Sequence, residues 1–149
     1  MRQYLIVSAL VTAMSCSDFP KDTESTLPRV KAERTFRVGL ISSGSSAAAD
    51  PKVQALLRNV ADAAQASPQV EQAEAEVLMK RLEEGQLDLV IGRFEKKSPW
   101  SSLVTIGPPL RKLRHGKIEW RVAPAMRNGE NAWIALIERE ARNVAPEAQ

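Results

Sequence analysis

The chain has 149 residues, of which 21 are basic and 18 acidic, so its formal net charge is only +3. This balance gives no indication of a nucleic-acid partner. One cysteine and one histidine exclude a disulfide framework within the chain and a Cys- or His-based metal cluster. The one histidine also leaves at most a single base for a serine or cysteine nucleophile. We therefore expect no enzyme, no metal and no cofactor.

The first sixteen residues are typical of an export signal. Arg2 precedes a mostly apolar stretch over residues 4–14, and Ser15 leads into the only cysteine, Cys16. The stretch is too short to cross a bilayer as a helix, as in secretory signals. The cysteine directly after it resembles a bacterial lipobox, in which the thiol is acylated and becomes the new N-terminal residue. We expect residues 1–15 to be a lipoprotein-type signal peptide and Cys16 to be lipidated.

The alternative for this segment is an ordinary secretory signal with a cysteine near its cleavage site. Either interpretation places the protein in the bacterial cell envelope on the periplasmic side. It is anchored to the membrane by lipid in the first case and secreted in the second. Residues 16–34 are polar and contain Pro20 and Pro28, so we predict a lipidated cysteine followed by a polar tether.

Strands and helices alternate in the next part of the chain. Residues 36–41 have strand alternation, and Asp50-Pro51 starts a helix that ends before Ser67-Pro68. The spacing then predicts a strand over 69–73, a helix over 75–84 that Gly85 ends, and a strand over 87–91 that Gly92 closes. This order predicts an α/β fold in three layers, a mostly parallel sheet of about five strands with helices on both faces. Right-handed crossovers would place the first strand between the second and third.

The remaining elements are predicted less regularly. Residues 103–106 form a strand, and residues 111–116 a basic turn that is either solvated or in contact with anionic lipid head groups. Residues 117–123 alternate as a half-exposed edge strand does. Asn128 would cap a helix over 129–142, and Trp120 and Trp133 have the spacing of core residues. We expect one domain over residues 35–142 and a C-terminal tail over 143–149.

A ligand site is expected where the carboxyl ends of the strands meet. Two loops, residues 42–46 and 92–100, converge there with hydroxyls, backbone N–H groups, a guanidinium and an aromatic face. These groups suit a small polar or zwitterionic solute. The alternative is that serine-rich and proline-containing loops are simply solvated. The candidate ligand-binding residues are Ser42, Ser43, Ser45, Arg93, Phe94, Glu95, Ser98 and Trp100.

Several segments together resemble a known family. They are the Gly-Gln-Leu-Asp-Leu-Val-Ile-Gly block at residues 85–92, the helix before it, Ser98-Pro99-Trp100, residues 104–109 and residues 122–133. They are similar to the periplasmic amino-acid-type solute-binding proteins (extracellular solute-binding family 3) of ABC transporters. The resemblance implies one lobe of a type II periplasmic binding protein that binds an amino acid without catalysis and works with an ABC permease.

The chain also departs from this family. Family members close two lobes on the ligand, whereas residues 110–117 here join the outgoing segment directly to the returning one, so the second lobe is absent. The family's ligand-binding Thr or Ser corresponds to Glu95. The carboxylate-gripping arginine has no counterpart near Trp100, and Arg93 is the possible substitute. The leading hypothesis is a transport-associated solute-binding module. The alternatives are a degenerate lobe that docks another envelope protein and a truncated, non-functional relative.

Overall fold

The computed structural model describes residues 22–42 and 47–149. The signal peptide, Cys16 with its lipid, and the candidate residues Ser43 and Ser45 lie outside the described residues, so they stay predictions. Across the described ranges, every helix is too short or too polar to span a bilayer.

Strands and helices alternate along most of the chain. The strands are β1 (Thr35–Ile41), β2 (Ser67–Ala73), β3 (Leu89–Glu95), β4 (Val104–Ile106), β5 (Arg111–His115) and β6 (Ile118–Arg127). The α-helices are α1 (Thr26–Glu33), α2 (Pro51–Ala64), α3 (Ala75–Glu83) and α4 (Asn131–Val144). Short 3-10 turns occupy Ala47–Ala49, Pro99–Ser102 and Pro146–Ala148.

The strands form one mixed sheet of six, in the order β2-β1-β3-β6-β4, with β5 also paired to β6. The predicted α/β class is confirmed, and β1 lies between its parallel partners β2 and β3 as predicted. β6 runs antiparallel to β3, β4 and β5. The predicted edge position of this strand is wrong, because β3 covers one side of β6 while β5 and β4 share the other.

The core has two layers, one on each face of the sheet. Phe36, Val38 and Leu40 of β1 face one layer, which they share with α1, α2 and α4. Leu78 and Leu82 of α3 pack on the other face with residues of β3 and β6. Side chains alternate between the faces of a strand, so apolar residues in succession along β1 and β3 supply both layers.

The segment predicted to be a tether contains a packed helix. Val30 of α1 is 0% exposed and belongs to the core under β1. Asp22 fixes this segment in place: its carboxylate accepts hydrogen bonds from the backbone N–H of Leu27 at 2.6 Å and of Trp133 at 2.9 Å. The tether prediction is therefore wrong for Thr26–Glu33. The sequence did not predict this helix because only one of its faces is buried and half of its residues are polar.

The end of the chain also differs from prediction. α4 continues to Val144, and Ala148 in the last 3-10 turn is buried, so the expected tail is packed on the domain. The helix begins at Asn131, and Asn128 does not cap it. The Asn128 side chain instead accepts a hydrogen bond from the hydroxyl of Thr105 at 2.8 Å and donates one to the carbonyl of Leu103 at 2.9 Å.

Two further predictions are wrong for β3 and β5, the strands that pair with β6. β3 does not stop at Gly92 but continues to Glu95, because β6 pairs with it along residues 90–95. The predicted basic turn at 111–116 is mostly a strand, β5, which forms a hairpin with β6. Gly116 is the first residue of the two-residue turn and has a φ of 60°. Glycine is favoured there because a positive φ is costly for residues with a Cβ.

Candidate functional site

A cavity of about 150 Å³ lies beyond the end of β1, beside the last residues of β3. Five of the eight candidate residues line it, together with Ile41, Ala75, Pro99 and Trp120: Arg93, Phe94, Glu95, Ser98 and Trp100. These five candidates line one cavity, and their role as ligand-binding residues stays a prediction. β3 creates the cavity by extending past the point where its pairing with β1 ends, at Ile91.

The residues that line this cavity differ in what they offer a ligand. Phe94 and Ser98 are buried and form its wall. Ser98 caps the 3-10 turn, since its hydroxyl accepts a hydrogen bond from the N–H of Trp100 at 3.4 Å. Arg93 and Glu95 are exposed, and Trp100 is half-buried against the α3 side of the core. Arg93, Glu95 and Trp100 thus line one cavity, with Arg93 and Glu95 on the face of β3 opposite Phe94.

Ser42 is separated from this group. Its side chain is exposed, and its backbone N–H donates to the carbonyl of Ala73 at 3.0 Å, which lengthens the pairing of β1 with β2. It does not line the cavity. Ser43 and Ser45 fall in the gap between the described ranges.

The strand register places further side chains next to the candidates. Glu95 lies opposite Trp120, and Trp120 lies opposite Leu113. The next pair of residues on the same face of these strands is Arg93 opposite Val122. Directly opposed residues of antiparallel strands share a face of the sheet, so Glu95, Trp120 and Leu113 form one row across β3, β6 and β5.

This row borders a second cavity of about 370 Å³, lined by Arg93, Leu113, Arg114, His115 and Trp120. Arg93 and Trp120 line both cavities. The prediction of Trp120 as a core residue is wrong, because Trp120 is half-buried and belongs to neither core layer. Leu113 was also missed. The alternation of Ile118, Trp120 and Val122 was the available signal, but it does not show where the helices stop.

Positive charge is concentrated around both cavities. Residues 93–97 and 111–121 contain eight lysines and arginines but two glutamates, Glu95 and Glu119. The local excess of six positive charges exceeds the +3 of the whole chain. Glu119 forms a salt bridge of 3.4 Å with Lys96, and Arg111 pairs with Asp50. Such a local field favours anionic ligands and raises their association rate.

A second polar cluster lies at the opposite end of the sheet. Asp88, the residue before β3, is 4% exposed and binds the guanidinium groups of Arg29 and Arg37. Its hydrogen bond and negative charge raise the pKa of Arg37 above its ordinary value. These groups satisfy one another, so we assign this cluster to stability. The described part of the chain brings no three His, Cys, Asp or Glu side chains together as a metal site.

The architecture is that of one lobe of an amino-acid-binding protein. The arginine-bound form of domain 1 from TmArgBP, the ArgBP of T. maritima, superposes with a TM-score of 0.64 at 15% identity. The match covers 77% of this chain and 97% of that domain. The fold of this chain therefore matches that of a single such domain.

Two other solved structures have the same fold. The ancestral amino acid-binding protein AncCDT-1, a precursor of cyclohexadienyl dehydratase, gives a TM-score of 0.65 at 8% identity, with 82% of this chain and 94% of that one covered. AbpA of Streptococcus pneumoniae, bound to L-arginine, gives 0.65 at 8%, with 80% and 92% covered. No protein-family model and no curated protein sequence matches the chain.

Proposed function

We propose that this chain is a solute-binding lobe of the bacterial cell envelope that binds a small polar solute, such as an amino acid, without catalysis. The observation that carries the proposal is that Arg93, Glu95 and Trp100 line one cavity at the end of β3. The likeness of the fold to domain 1 of amino-acid-binding proteins supports it.

The three groups complement a zwitterion. A guanidinium binds a carboxylate through two parallel hydrogen bonds, which is the role proposed for Arg93. Glu95 would accept hydrogen bonds from an ammonium group, and the indole of Trp100 would cover the carbon skeleton. The cavity of about 150 Å³ is small and open. Pockets that bury a drug-sized ligand measure roughly 300–1,000 Å³, so we expect weak binding unless a partner covers the open side.

The proposal includes the way in which a single lobe is completed. Leu110, where the chain would leave for a second lobe, is buried, and the chain returns through the β5–β6 hairpin. We propose that this hairpin replaces the two connections that otherwise cross to a second lobe. Delivery to an ABC permease and attachment to the membrane through lipid on Cys16 belong to the same proposal.

A second candidate function is docking of another envelope protein. The observation that favours it is the hairpin itself. Among the described strands β5 pairs with β6 alone, and Ile118 at the hairpin end is 50% exposed. Edge strands with an unpaired side readily accept a strand from a partner.

Thermal unfolding separates the two candidates. The full chain in mild detergent would be unfolded with and without pooled polar amino acids at millimolar concentration. A solute at tenfold excess over its Kd adds about 1.4 kcal/mol to the free energy of unfolding and so raises Tm. Arg93→Ala and Trp100→Ala should abolish the rise, and Lys80→Ala on the exposed side of α3 should not. A cooperatively folded chain with no shift would reject solute binding and favour docking.

The lipid anchor needs its own test. Bacteria that express the chain would be grown with radiolabelled palmitate, and the protein would be isolated by immunoprecipitation. We expect label in the parent chain and none in Cys16→Ala. An unlabelled parent would reject the anchor and leave the ordinary secretory signal.

A further inference from the structure

The second cavity combines apolar surface with positive charge. Leu113 and the half-buried indole of Trp120 form its floor, and they lie directly opposite each other in the β5–β6 hairpin. Arg93 and His115 lie on the same face of the strands, and Arg114, which follows Leu113 on β5, also lines the cavity. Because the indole is partly packed, its orientation is fixed by the sheet and one part of it stays open to a ligand.

The two cavities are neighbours with shared walls. Arg93 and Trp120 line both of them. Among the described residues, Glu95 is the single carboxylate that lines the first cavity, and none lines the second. Within the same residues, Arg93 has no carboxylate within salt-bridge distance, whereas Glu119 is paired with Lys96. The guanidinium of Arg93 is therefore available to an anion.

We propose that the binding site continues onto the hairpin and selects solutes that join a carboxylate to an apolar body, such as a ring or a short aliphatic chain. This inference rests on the proposed function, because Arg93 and Trp120 serve both cavities. The apolar body lies on Leu113 and Trp120, and the carboxylate faces Arg93. Such a solute has a net negative charge, whereas the arginine bound in the TmArgBP and AbpA structures has a net positive charge.

Three probes with the same ring test the charge selectivity. Phenylacetate, phenylacetamide and phenethylamine would be titrated into the full chain in mild detergent, followed by tryptophan fluorescence and calorimetry. We expect phenylacetate to bind about tenfold more tightly than phenethylamine, with the amide between them. The advantage of the acid should shrink as salt is raised, because part of it comes from the surrounding cations.

Of the two cavities, Leu113 lines the second and not the first, so it separates this inference from the proposed function. Leu113→Ser should weaken phenylacetate about fivefold or more and leave the thermal shift with pooled amino acids unchanged. Val77→Ser is the matched control, since it removes an apolar side chain from an exposed position on α3. Equal binding of the acid and the amine, or equal effects of the two substitutions, would overturn the inference.

The two proposals fail separately. If pooled amino acids raise Tm and phenylacetate does not bind, the extension onto the hairpin is wrong and the proposed function stands. If phenylacetate binds with the expected selectivity and pooled amino acids do not raise Tm, the hairpin cavity binds carboxylates and the proposed function is wrong.

Discussion

Arg37 and Asp88 form a two-pronged ion pair at the end of the sheet opposite the cavities. Nη2 of Arg37 donates to Oδ1 of Asp88 at 2.7 Å, and Nε donates to Oδ2 at 3.1 Å. The backbone N–H of Arg37 adds a third bond at 2.8 Å, and Arg29 contacts the same carboxylate. The pair joins the start of β1 to the residue before β3, so it fixes the two central strands together.

Asp88→Asn should destabilise the protein by about 2–4 kcal/mol. The Asp88 side chain is 2% exposed, and an amide cannot balance two guanidinium groups or accept all their bonds. Urea unfolding followed by circular dichroism measures the loss. Glu33→Gln is the control, because Glu33 meets Arg29 at the surface and such pairs contribute about 0–1 kcal/mol. Equal losses in the two variants would show that the buried pair has no special role.

Glu130 should make stability depend on pH in the acid range. Burial raises the pKa of Glu130, but hydrogen bonds from Thr26 and from the N–H of Glu24, with the charge of Arg127, together lower it below 4.5. A carboxyl group with a lower pKa in the folded state stabilises the protein above pH 4.5. This stability is lost as pH falls through the folded pKa. Urea unfolding from about pH 6 to pH 3 should therefore show a steeper loss in the parent than in Glu130→Gln.

Glu147 supplies the control for this pH dependence. Its hydrogen bond with Lys52 lowers its pKa as well, but the side chain is at the surface. At low salt, Glu147→Gln should change how the free energy of unfolding depends on pH in the acid range. At high salt this change should disappear, whereas the change caused by Glu130→Gln should persist. Parallel curves for the parent and Glu130→Gln would contradict the assignment to Glu130.

Val30→Ala tests whether α1 is part of the domain. Val30 is 0% exposed, so removing two methyl groups should lower the free energy of unfolding by about 1–3 kcal/mol. Lys31→Ala on the exposed side of the helix should change it by less than about 0.5 kcal/mol. Urea titrations of both variants provide the comparison. If this segment were a tether, neither substitution would change the free energy of unfolding.

Gly92→Ala should destabilise the protein by about 1–3 kcal/mol through crowding. An added Cβ would lie 2.8 Å from Cβ and Cγ1 of Ile41, closer than side chains pack. Ile41→Ala removes Cγ1 and Cδ1, so the double variant should lose less stability than the sum of the single ones. Thermal and urea unfolding of the four chains completes the cycle. Strict additivity would show that the strand end moves to accept the methyl group.

Local patterns predicted most of the first half of the fold. Asp50 caps α2, accepting from the N–H of Lys52 at 2.9 Å, and the helix begins at Pro51 as predicted. Gly85 follows α3 with a φ of 74°. These features depend on neighbouring residues, which is why residue spacing was enough to find them. The crossover rule then ordered β1, β2 and β3 correctly.

The predictions failed where distant residues decide the structure. α1 is polar in composition, and its buried side is held by a contact between Asp22 and the start of α4. β5 has basic residues at four of its five positions, and it is a strand because β6 pairs with it. Neither partner can be recognised from the local sequence.

The sequence by itself determined the alternation of strands and helices, the capping signals and the end of the sheet where Arg93, Glu95 and Trp100 meet. Tertiary structure alone decided that Leu113 and Trp120 join them, because the register of β6 against β3 and β5 depends on pairing between segments far apart in the chain. It also decided that Trp120 is only half-buried. Periodicity shows which side chains share a face of a strand, but only packing shows how far the helices cover that face.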